Sequence, residues 1–390
     1  MPNVPLLPWS EELLEYNFGA GHPMAPIRLM LTHALVRDLG ILDRLHVEPV
    51  VSATTAELLR AHETQYVAAV RAAGAGRPAP EFGLDEADNP IFEGMHEAAA
   101  RIAGSTLAAA TAVWRGDAPR ALSLAGGMHH AMPRRASGFC VYNDLSVAIA
   151  ALLADGATRV AYVDLDAHHG DGVERAFWDD ERVLTISVHQ HPGSLFPGTG
   201  YAQDIGSSAA RGRAVNVPLA PGASGGPWLR VLDAVVEPLL REFQPQVLVT
   251  QHGSDSHRRD PLAELDVSVD AQRRAALLMA ELADRYAGGR WVATGGGGYE
   301  VVEVVPRVWA HLAAVVAGEP IPPQAAVPES WRRLVHDLAA VEAPLTMTDG
   351  EDGSFVPWSA GYDPDDDVDR AIMAARNAVF PWHGLDPLDR

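Results

Sequence analysis

The chain has 390 residues, 47% of them hydrophobic, and a formal net charge of −21. This hydrophobic content is enough for a large folded core and excludes a disordered composition. The acidic balance argues against broad binding to nucleic acid or to an anionic membrane surface, because both need a basic protein surface.

Cys140 is the only cysteine in the sequence, so an intrachain disulfide is excluded. The first residues show neither the basic region nor the apolar region of a secretory signal. No apolar run approaches the roughly 20 residues that a membrane-spanning helix needs. We therefore expect a cytoplasmic protein that binds neither membrane nor nucleic acid. The oligomeric state is left open.

The amino-terminal third of the chain is predicted to be mainly helical. The predicted helices cover residues 11–16, 27–39, 54–72 and 94–114. Pro23 and Pro26 lie between the first two helices and indicate a turn or loop there. The last of the four is rich in alanine on most faces, which favours a buried position.

From residue 120 onward, predicted strands and helices alternate. Strands are predicted at 121–125, 159–165, 183–188, 214–219, 246–250 and 290–294, and helices at 144–154, 227–243 and 270–286. Pro238 should kink the second of these helices or start a new segment. Such alternation is typical of an α/β fold with a mostly parallel sheet flanked by helices.

The stretch VAYVDLDAHHGDG, residues 160–172, combines a predicted strand with a cluster of polar side chains. Five ionisable or metal-binding side chains fall within eight residues: Asp164, Asp166, His168, His169 and Asp171. A buried strand carries such a cluster only where the charges meet a cation or one another. Asp166 and His168 are two residues apart, so on an extended chain both side chains face one side and can reach one ion. Oxygen and imidazole ligands are typical of a catalytic zinc site.

Two further segments place chemically active side chains after predicted strands. His129 and His130 are adjacent, and each can bind a carboxylate through its rear ring nitrogen. Four glycines at 295–298 precede Tyr299, and glycines allow close approach of the backbone to a site.

A third oxygen ligand is expected after the strand at 246–250. Asp255 lies just past this strand, while Asp260 and His257 compete for the same role on sequence grounds. The local pattern alone leaves this choice open.

Taken in order, these segments resemble the zinc-dependent histone deacetylase family, closest to its class I members and to bacterial acetoin utilization deacetylases. The matching segments are GHPMAPIRLMLTH, GGMHHA, SGFCVYND, VDLDAHHGDGVE, LFPGTG, VNVPL, GSDSHRRDPLA and TGGGGY. The resemblance implies an arginase-like α/β fold around a parallel eight-stranded sheet, forming a single deacetylase domain over residues 1–390. Its core would cover about 10–320, with helices and loops of 321–390 packed on that core. It also implies hydrolysis of an acetylated lysine at the bottom of a narrow channel.

The resemblance implies Asp166, His168 and Asp255 as the zinc ligands, and Fe²⁺ is compatible with the same donors. It also implies structural potassium. One potassium ion would lie near Asp164, Asp166, His168 and Ser187. A second would use the backbone carbonyls of Phe177 and Val183.

For catalysis, the resemblance pairs His129 with Asp164 and His130 with Asp171. His130 would be the main general base and acid toward a metal-activated water, and His129 an electrostatic partner. Tyr299 would donate a hydrogen bond to the oxyanion.

For substrate binding, the resemblance implies a lysine channel and a rim. The implied residues are Asp88 at the rim and Gly138, Phe139, Phe196 and Leu262 at the channel. Arg28 would line an internal cavity on the acetate side. The partners would be acetylated proteins, and we also consider acyl-CoA synthetases as substrates.

Three alternatives share parts of this pattern. An acetylpolyamine amidohydrolase would use the same site. A manganese ureohydrolase of the arginase type would need more carboxylates for two metals. A non-catalytic acyl-lysine binding protein would show damage at a catalytic residue, whereas His130 and Tyr299 are intact. His257 departs from the aliphatic residue usual at this position in class I members and leaves the acyl preference open.

Overall fold

The structure, a computed structural model, describes residues 4–389. Within this range the strands are β1 Leu6–Pro8, β2 His46–Glu48, β3 Arg120–Ser123, β4 Val160–Asp164, β5 Val183–Gln190, β6 Ala214–Leu219, β7 Val247–Gln251 and β8 Trp291–Thr294. They form one eight-stranded sheet in the order β2-β1-β3-β8-β7-β4-β5-β6. Each neighbouring pair is parallel. The predicted α/β fold is therefore confirmed, with a sheet that is entirely rather than mostly parallel.

Helices cover both faces of this sheet. They are α1 Ile27–Asp38, α2 Thr55–Leu58, α3 Thr64–Gly74, α4 Met95–Arg115, α5 Asp144–Ala154, α6 Asp171–Ala176, α7 Gly225–Val231, α8 Glu237–Phe243, α9 Val269–Tyr286, α10 Val305–Val316, α11 Glu329–Ala339 and α12 Asp367–Val379. Among the described residues, no helix is long and apolar enough to cross a membrane.

Two of the predicted helices are divided in the structure. The helix predicted at 54–72 is split into α2 and α3, and the one at 227–243 into α7 and α8 with a π-helical turn between them. Pro238 lies in the first turn of α8, directly after the π-helical turn, and the carbonyl of Ala234, four residues earlier, accepts a hydrogen bond from Arg376 at 2.7 Å instead of from the N–H that Pro238 lacks. The short helix predicted at 11–16 is a 3₁₀ helix, Glu11–Glu15.

The central strand β4 shows why the strands of this sheet appear in the sequence as apolar runs. All five of its residues are buried, with Ala161 and Val163 in one apolar cluster and Val160 and Tyr162 in another. A parallel strand covered on both faces needs apolar side chains at every position. Asp164 ends this strand in register with Gln251 of β7, which is in turn paired with Thr294 of β8. The carboxyl ends of the central strands therefore lie at one edge, where open α/β sheets carry their sites.

The carboxy-terminal segment packs against this sheet and its helices. The indole N–H of Trp331 in α11 donates to the carbonyl of Leu31 in α1 at 2.8 Å, and α12 packs on β6. The assignment of residues 1–390 to a single domain stays a prediction, and residues 1–3 and 390 lie outside the described range.

Candidate metal and catalytic centre

Three predicted metal ligands meet beyond the carboxyl ends of β4 and β7. One ligand atom from each of Asp166, His168 and Asp255 lies within 4.8 Å of the other two. His168 Nδ1 is 3.1 Å from Asp166 Oδ1 and 3.0 Å from Asp255 Oδ2. All three side chains are buried. Two carboxylates and one imidazole form the donor set of a catalytic divalent site, which keeps a further position open.

The backbone around these ligands leaves room only for glycine. A Cβ at Gly297 would overlap the Asp255 carboxylate, and a Cβ at Gly253 would overlap that of Asp166. Burial and the neighbouring charge of Asp166 raise the pKa of Asp255 to about 7. A bound cation removes this conflict between two buried carboxylates, so the residues present fit a divalent metal.

Hydrogen bonds hold the outer oxygens of both carboxylates. The side-chain amide of Gln251 and the backbone N–H of Gly297 donate to Asp166 Oδ2 at 2.6 and 2.8 Å. The backbone N–H of Ala167 donates to Asp255 Oδ1 at 2.9 Å. Such partners orient ligands toward a metal. The sequence analysis missed Gln251, although its position at the end of β7 next to Asp164 was a usable signal.

The two adjacent histidines lie beside this cluster, each with its predicted carboxylate. His129 Nδ1 is 2.7 Å from Asp164 Oδ2, and His130 Nδ1 is 2.7 Å from Asp171 Oδ1. The hydroxyl of Tyr162 also donates to Asp164, at 2.6 Å.

The pKa values of the two histidines shift in opposite directions because their electrostatic surroundings differ. Burial opposes the charge of His129, but Asp164 and Asp166 outweigh it and raise its pKa to about 9. Burial and the positive charge of His129 lower the pKa of His130 to about 4. These surroundings favour the protonated form of His129 and the neutral form of His130.

The SGFCVYND segment fixes the backbone that carries these histidines. Asn143 caps α5 and also donates to the carbonyls of His129 and Ala131 at 3.2 and 3.0 Å. Asp144 accepts from the N–H groups of Gly127 and Met128 at 3.0 and 2.7 Å. The sequence analysis assigned neither residue a role.

Tyr299 follows the glycine run after β8. Its N–H donates to Asp260 Oδ2 at 2.8 Å, and its ring packs edge to face on Phe139 with centroids 5.7 Å apart. Burial and the charge of Asp255 raise the pKa of the Tyr299 phenol well above 10, so the hydroxyl keeps its proton. Asp260 also accepts from the N–H of Leu262 at 3.0 Å. Of the three candidates for the third ligand, only Asp255 belongs to the metal cluster.

Two of the predicted channel residues, Gly138 and Phe196, lie against His130. The ring of Phe196 packs edge to face on His130 at 5.0 Å, and a Cβ at Gly138 would overlap both rings. Phe139 has a φ of +68°, a left-handed conformation that is unusual for an aromatic residue. Phe139 and Leu262 are half-buried, and Phe196 is exposed.

Asp88, predicted at the rim, is exposed and is connected to the channel through His22. His22 Nε2 lies 3.3 Å from the Asp88 carbonyl, and its ring packs on Phe139 at 4.6 Å. The sequence analysis missed His22, which lies in the GHP part of the first matching segment.

Comparison with known proteins gives the family. The family model of the histone deacetylase domain matches residues 22–316. This chain belongs to the histone deacetylase family. It is 38% identical to the acetoin utilization protein AcuC of Bacillus subtilis over 348 residues, which covers 88% of this chain and 89% of the relative. The AcuC protein of Staphylococcus xylosus is 35% identical over 348 residues, covering 88% of this chain and 90% of the relative.

Solved structures give the same result. The crystal structure of an HDAC homolog complexed with SAHA matches with a TM-score of 0.83 and 27% identity, covering 96% of this chain and 99% of that chain. The crystal structure of an HDAC homolog from Aquifex aeolicus matches with the same values. The protein thus has a histone deacetylase fold with a buried Asp–His–Asp metal site.

Arg28, which the deacetylase resemblance placed at an internal cavity, makes specific contacts in the structure. Arg28 is buried, donates to the carbonyl of Gly296 at 2.7 Å and lies 5.2 Å over the ring of Trp309. It therefore contacts the glycine run before Tyr299, and its role in an internal cavity stays a prediction.

The potassium positions also stay a prediction. Ser187 Oγ is 2.8 Å from His189 Nδ1. Phe177 directly follows α6, Val183 begins β5, and both are buried.

Proposed function

We propose that this protein is a metal-dependent amidohydrolase that removes acetyl groups from acetylated lysine side chains of proteins. The observation that carries this proposal is the Asp166–His168–Asp255 cluster with the neutral imidazole of His130 beside it. Zn²⁺ is the proposed metal, Fe²⁺ fits the same donors, and potassium would have a structural role.

A divalent cation in this site would polarise an amide carbonyl and lower the pKa of a water molecule. The remaining chemistry falls to side chains of this chain. His130 Nδ1–H donates to Asp171, which leaves the lone pair on Nε2. Once Nε2 exchanges its contact with His129 Nε2 for the attacking water, a neutral imidazole in this tautomer can accept the water proton and return it to the leaving amine.

Two side chains are proposed to stabilise the negative charge that forms during hydrolysis. Tyr299 keeps its phenolic proton and is proposed to donate it in a hydrogen bond to the developing oxyanion. His129, held protonated beside Asp164, supplies positive charge next to His130.

The aromatic walls and the rim fit an extended alkyl chain attached to a polypeptide. Phe139 and Phe196 present ring faces and edges suited to the methylenes of lysine. The exposed carboxylate of Asp88 is proposed to accept backbone N–H groups of the substrate. Acetylated proteins, with acyl-CoA synthetases as one class to test, are the proposed partners.

The experiment is a turnover assay of enzyme loaded with one defined metal. Acetyl-lysine peptides, free acetyl-lysine and acetylspermidine are compared, with His130→Ala as the control for contaminating activity. Turnover of the peptides that is lost in the control supports the proposal. Efficient turnover of acetylspermidine alone would assign the site to acetylpolyamines. Peptide binding without turnover by the metal-loaded enzyme would favour a binding protein.

A further inference from the structure

The segment after α10 contributes a contact to the loop that carries the metal ligand Asp255. Asp349 lies beyond residues 22–316, which match the deacetylase domain, and its Oδ2 is 2.8 Å from His257 Nε2. His257 is two residues after Asp255 and is only 1% exposed. A buried histidine next to a metal-ligand loop is thus held by a residue 92 positions away.

Both ring nitrogens of His257 are engaged. The backbone N–H of Arg259 donates to Nδ1 at 3.1 Å, so Nδ1 is the acceptor. The proton therefore resides on Nε2, which donates to Asp349. The ring is fixed between its own loop and the carboxy-terminal segment.

Asp349 is itself fixed by rigid neighbours. Its Oδ2 also accepts from the N–H of Val269, the first residue of α9, at 2.9 Å. Its Oδ1 accepts from Arg307 of α10 at 2.8 Å, and its own N–H donates to Asp270 Oδ2 at 2.9 Å. Burial opposes ionisation, but the hydrogen bonds and the Arg307 charge hold the pKa of Asp349 well below its usual range.

The loop between Asp255 and Asp260 contacts both the metal site and Tyr299. Asp255 at its start is a metal ligand, and Asp260 at its end accepts the N–H of Tyr299. His257 lies between them. A side chain that fixes His257 therefore affects the positions of both the metal ligand Asp255 and the oxyanion donor Tyr299.

We propose that Asp349 is a positioning residue that acts through His257 to hold the Asp255–Asp260 loop in its binding geometry. This inference rests on the proposed metal site. The resemblance implies that class I members usually have an aliphatic residue in place of His257, and an aliphatic residue cannot make this hydrogen bond. The carboxy-terminal segment is then a structural part of the centre.

The test compares Asp349→Ala with Asp369→Ala in the full chain. Asp369 is a matched control because it is a carboxylate of the same carboxy-terminal segment and pairs with a buried arginine, Arg230, at 2.7 and 3.0 Å, as Asp349 pairs with Arg307. The readouts are the rate at which loaded Zn²⁺ is released to a chelator, the free energy of unfolding, and kcat and KM. We expect Asp349→Ala to release Zn²⁺ about tenfold faster and to lower kcat more than it changes KM, since loss of a residue that orients ligands typically costs 10- to 100-fold. Asp369→Ala should lower stability without changing the release rate.

A double-mutant cycle tests the route through His257. In a His257→Leu background, Asp349→Ala should add little to Zn²⁺ release, because the two changes remove the same contact. Asp349→Asn keeps one acceptor oxygen and should be intermediate, and it replaces the alanine variant if that variant does not fold. Unchanged Zn²⁺ release by the Asp349 variants, equal acceleration by Asp369→Ala, or additive effects would overturn the inference. A wild-type protein that binds no divalent metal would instead contradict the proposed function.

Discussion

His129 Nε2 lies 3.0 Å from His130 Nε2, while each ring keeps a separate carboxylate on its Nδ1. A short contact between two ring nitrogens requires one to donate and the other to accept. The protonated state of His129 and the neutral state of His130 satisfy this requirement. The raised pKa of His129 and the lowered pKa of His130 thus make His129 the donor and His130 the acceptor in this contact.

Asp171→Asn tests this division of roles. An asparagine amide can donate to His130 Nδ1, which favours the tautomer with its proton on Nε2 and removes the base. We expect kcat to fall on the order of 10³- to 10⁴-fold, by analogy with the corresponding change in serine proteases. Zn²⁺ content and the unfolding midpoint should stay close to those of the wild type. A loss below tenfold would show that Asp171 does not set the His130 tautomer.

Asp255→Ala and Asp260→Ala separate a ligand from its neighbour on the same loop. Asp255→Ala should lose most bound metal and nearly all activity, because it removes one of three protein ligands. Asp260→Ala should keep the metal and lose part of kcat, because it releases the backbone of Tyr299. Metal analysis of the purified proteins checks both. Full metal occupancy in Asp255→Ala would reopen the choice between Asp260 and His257.

The sequence predicted six of the eight strands and missed β1 and β2, which lie together at one edge of the sheet. The runs that correspond to β4 and β7 stand out because both faces of these strands are buried, and their polar residues lie only at their carboxyl ends. The edge strand β2 has three residues, all exposed, and its partner β1 is equally short and ends in Pro8. Neither gives an apolar run long enough to recognise.

In the site, too, local patterns could be predicted from the sequence and long-range contacts could not. Asp166 and His168 were predicted because two candidate ligands two residues apart stand out in the local sequence, although the structure places both after the end of β4 rather than on the strand. Gln251 contacts Asp166 across 85 residues, and Asp349 contacts His257 across 92. No local pattern marks such pairs, since each depends on how distant segments meet in the folded chain. The resemblance to the family gave Asp255, which local spacing had left open.

Phe196→Ala tests the channel wall. The ring is 43% exposed yet packs on His130, as expected for a surface that a substrate alkyl chain covers. Removing it should lower kcat/KM for an acetyl-lysine peptide by about fivefold, since burying one or two methylenes of the substrate contributes about 1 kcal/mol. Metal content should not change. Unchanged peptide turnover together with collapsed acetylspermidine turnover would favour the polyamine substrate.

Acid should destabilise the protein below pH 6.5 through its buried neutral histidines. Burial lowers the pKa of His62 to about 4, although its hydrogen bond to the Met132 carbonyl acts in the opposite direction. As pH falls through 6.5 the unfolded chain binds a proton that folded His62 does not, so stability is lost until pH reaches about 4. One such group contributes up to about 1.4 kcal/mol per pH unit.

Urea unfolding at pH 7.5, 6 and 5 measures this slope, with His62→Gln as the comparison. The variant should be less stable at pH 7.5, because His62 also accepts the N–H of Asn143. Between pH 6 and 5 its free energy of unfolding should fall less steeply than that of the wild type. The two slopes should differ by about one bound proton, or about 1.4 kcal/mol per pH unit. Equal slopes in both proteins would mean that His62 is protonated in the folded state.

Tyr299→Phe tests the proposed oxyanion donor. The change removes one oxygen, and the ring can keep its contact with Phe139, so folding and metal content should hold. The lost hydroxyl matters most as the carbonyl oxygen becomes an anion. Loss of one such donor typically lowers kcat on the order of 10²- to 10³-fold. KM should change far less, because the ground-state carbonyl depends less on this donor. Metal-loaded Tyr299→Phe should therefore retain uncleaved acetylated peptide, which equilibrium binding of a fluorescent peptide measures. Near-normal kcat, with metal and fold verified, would exclude Tyr299 from the transition state.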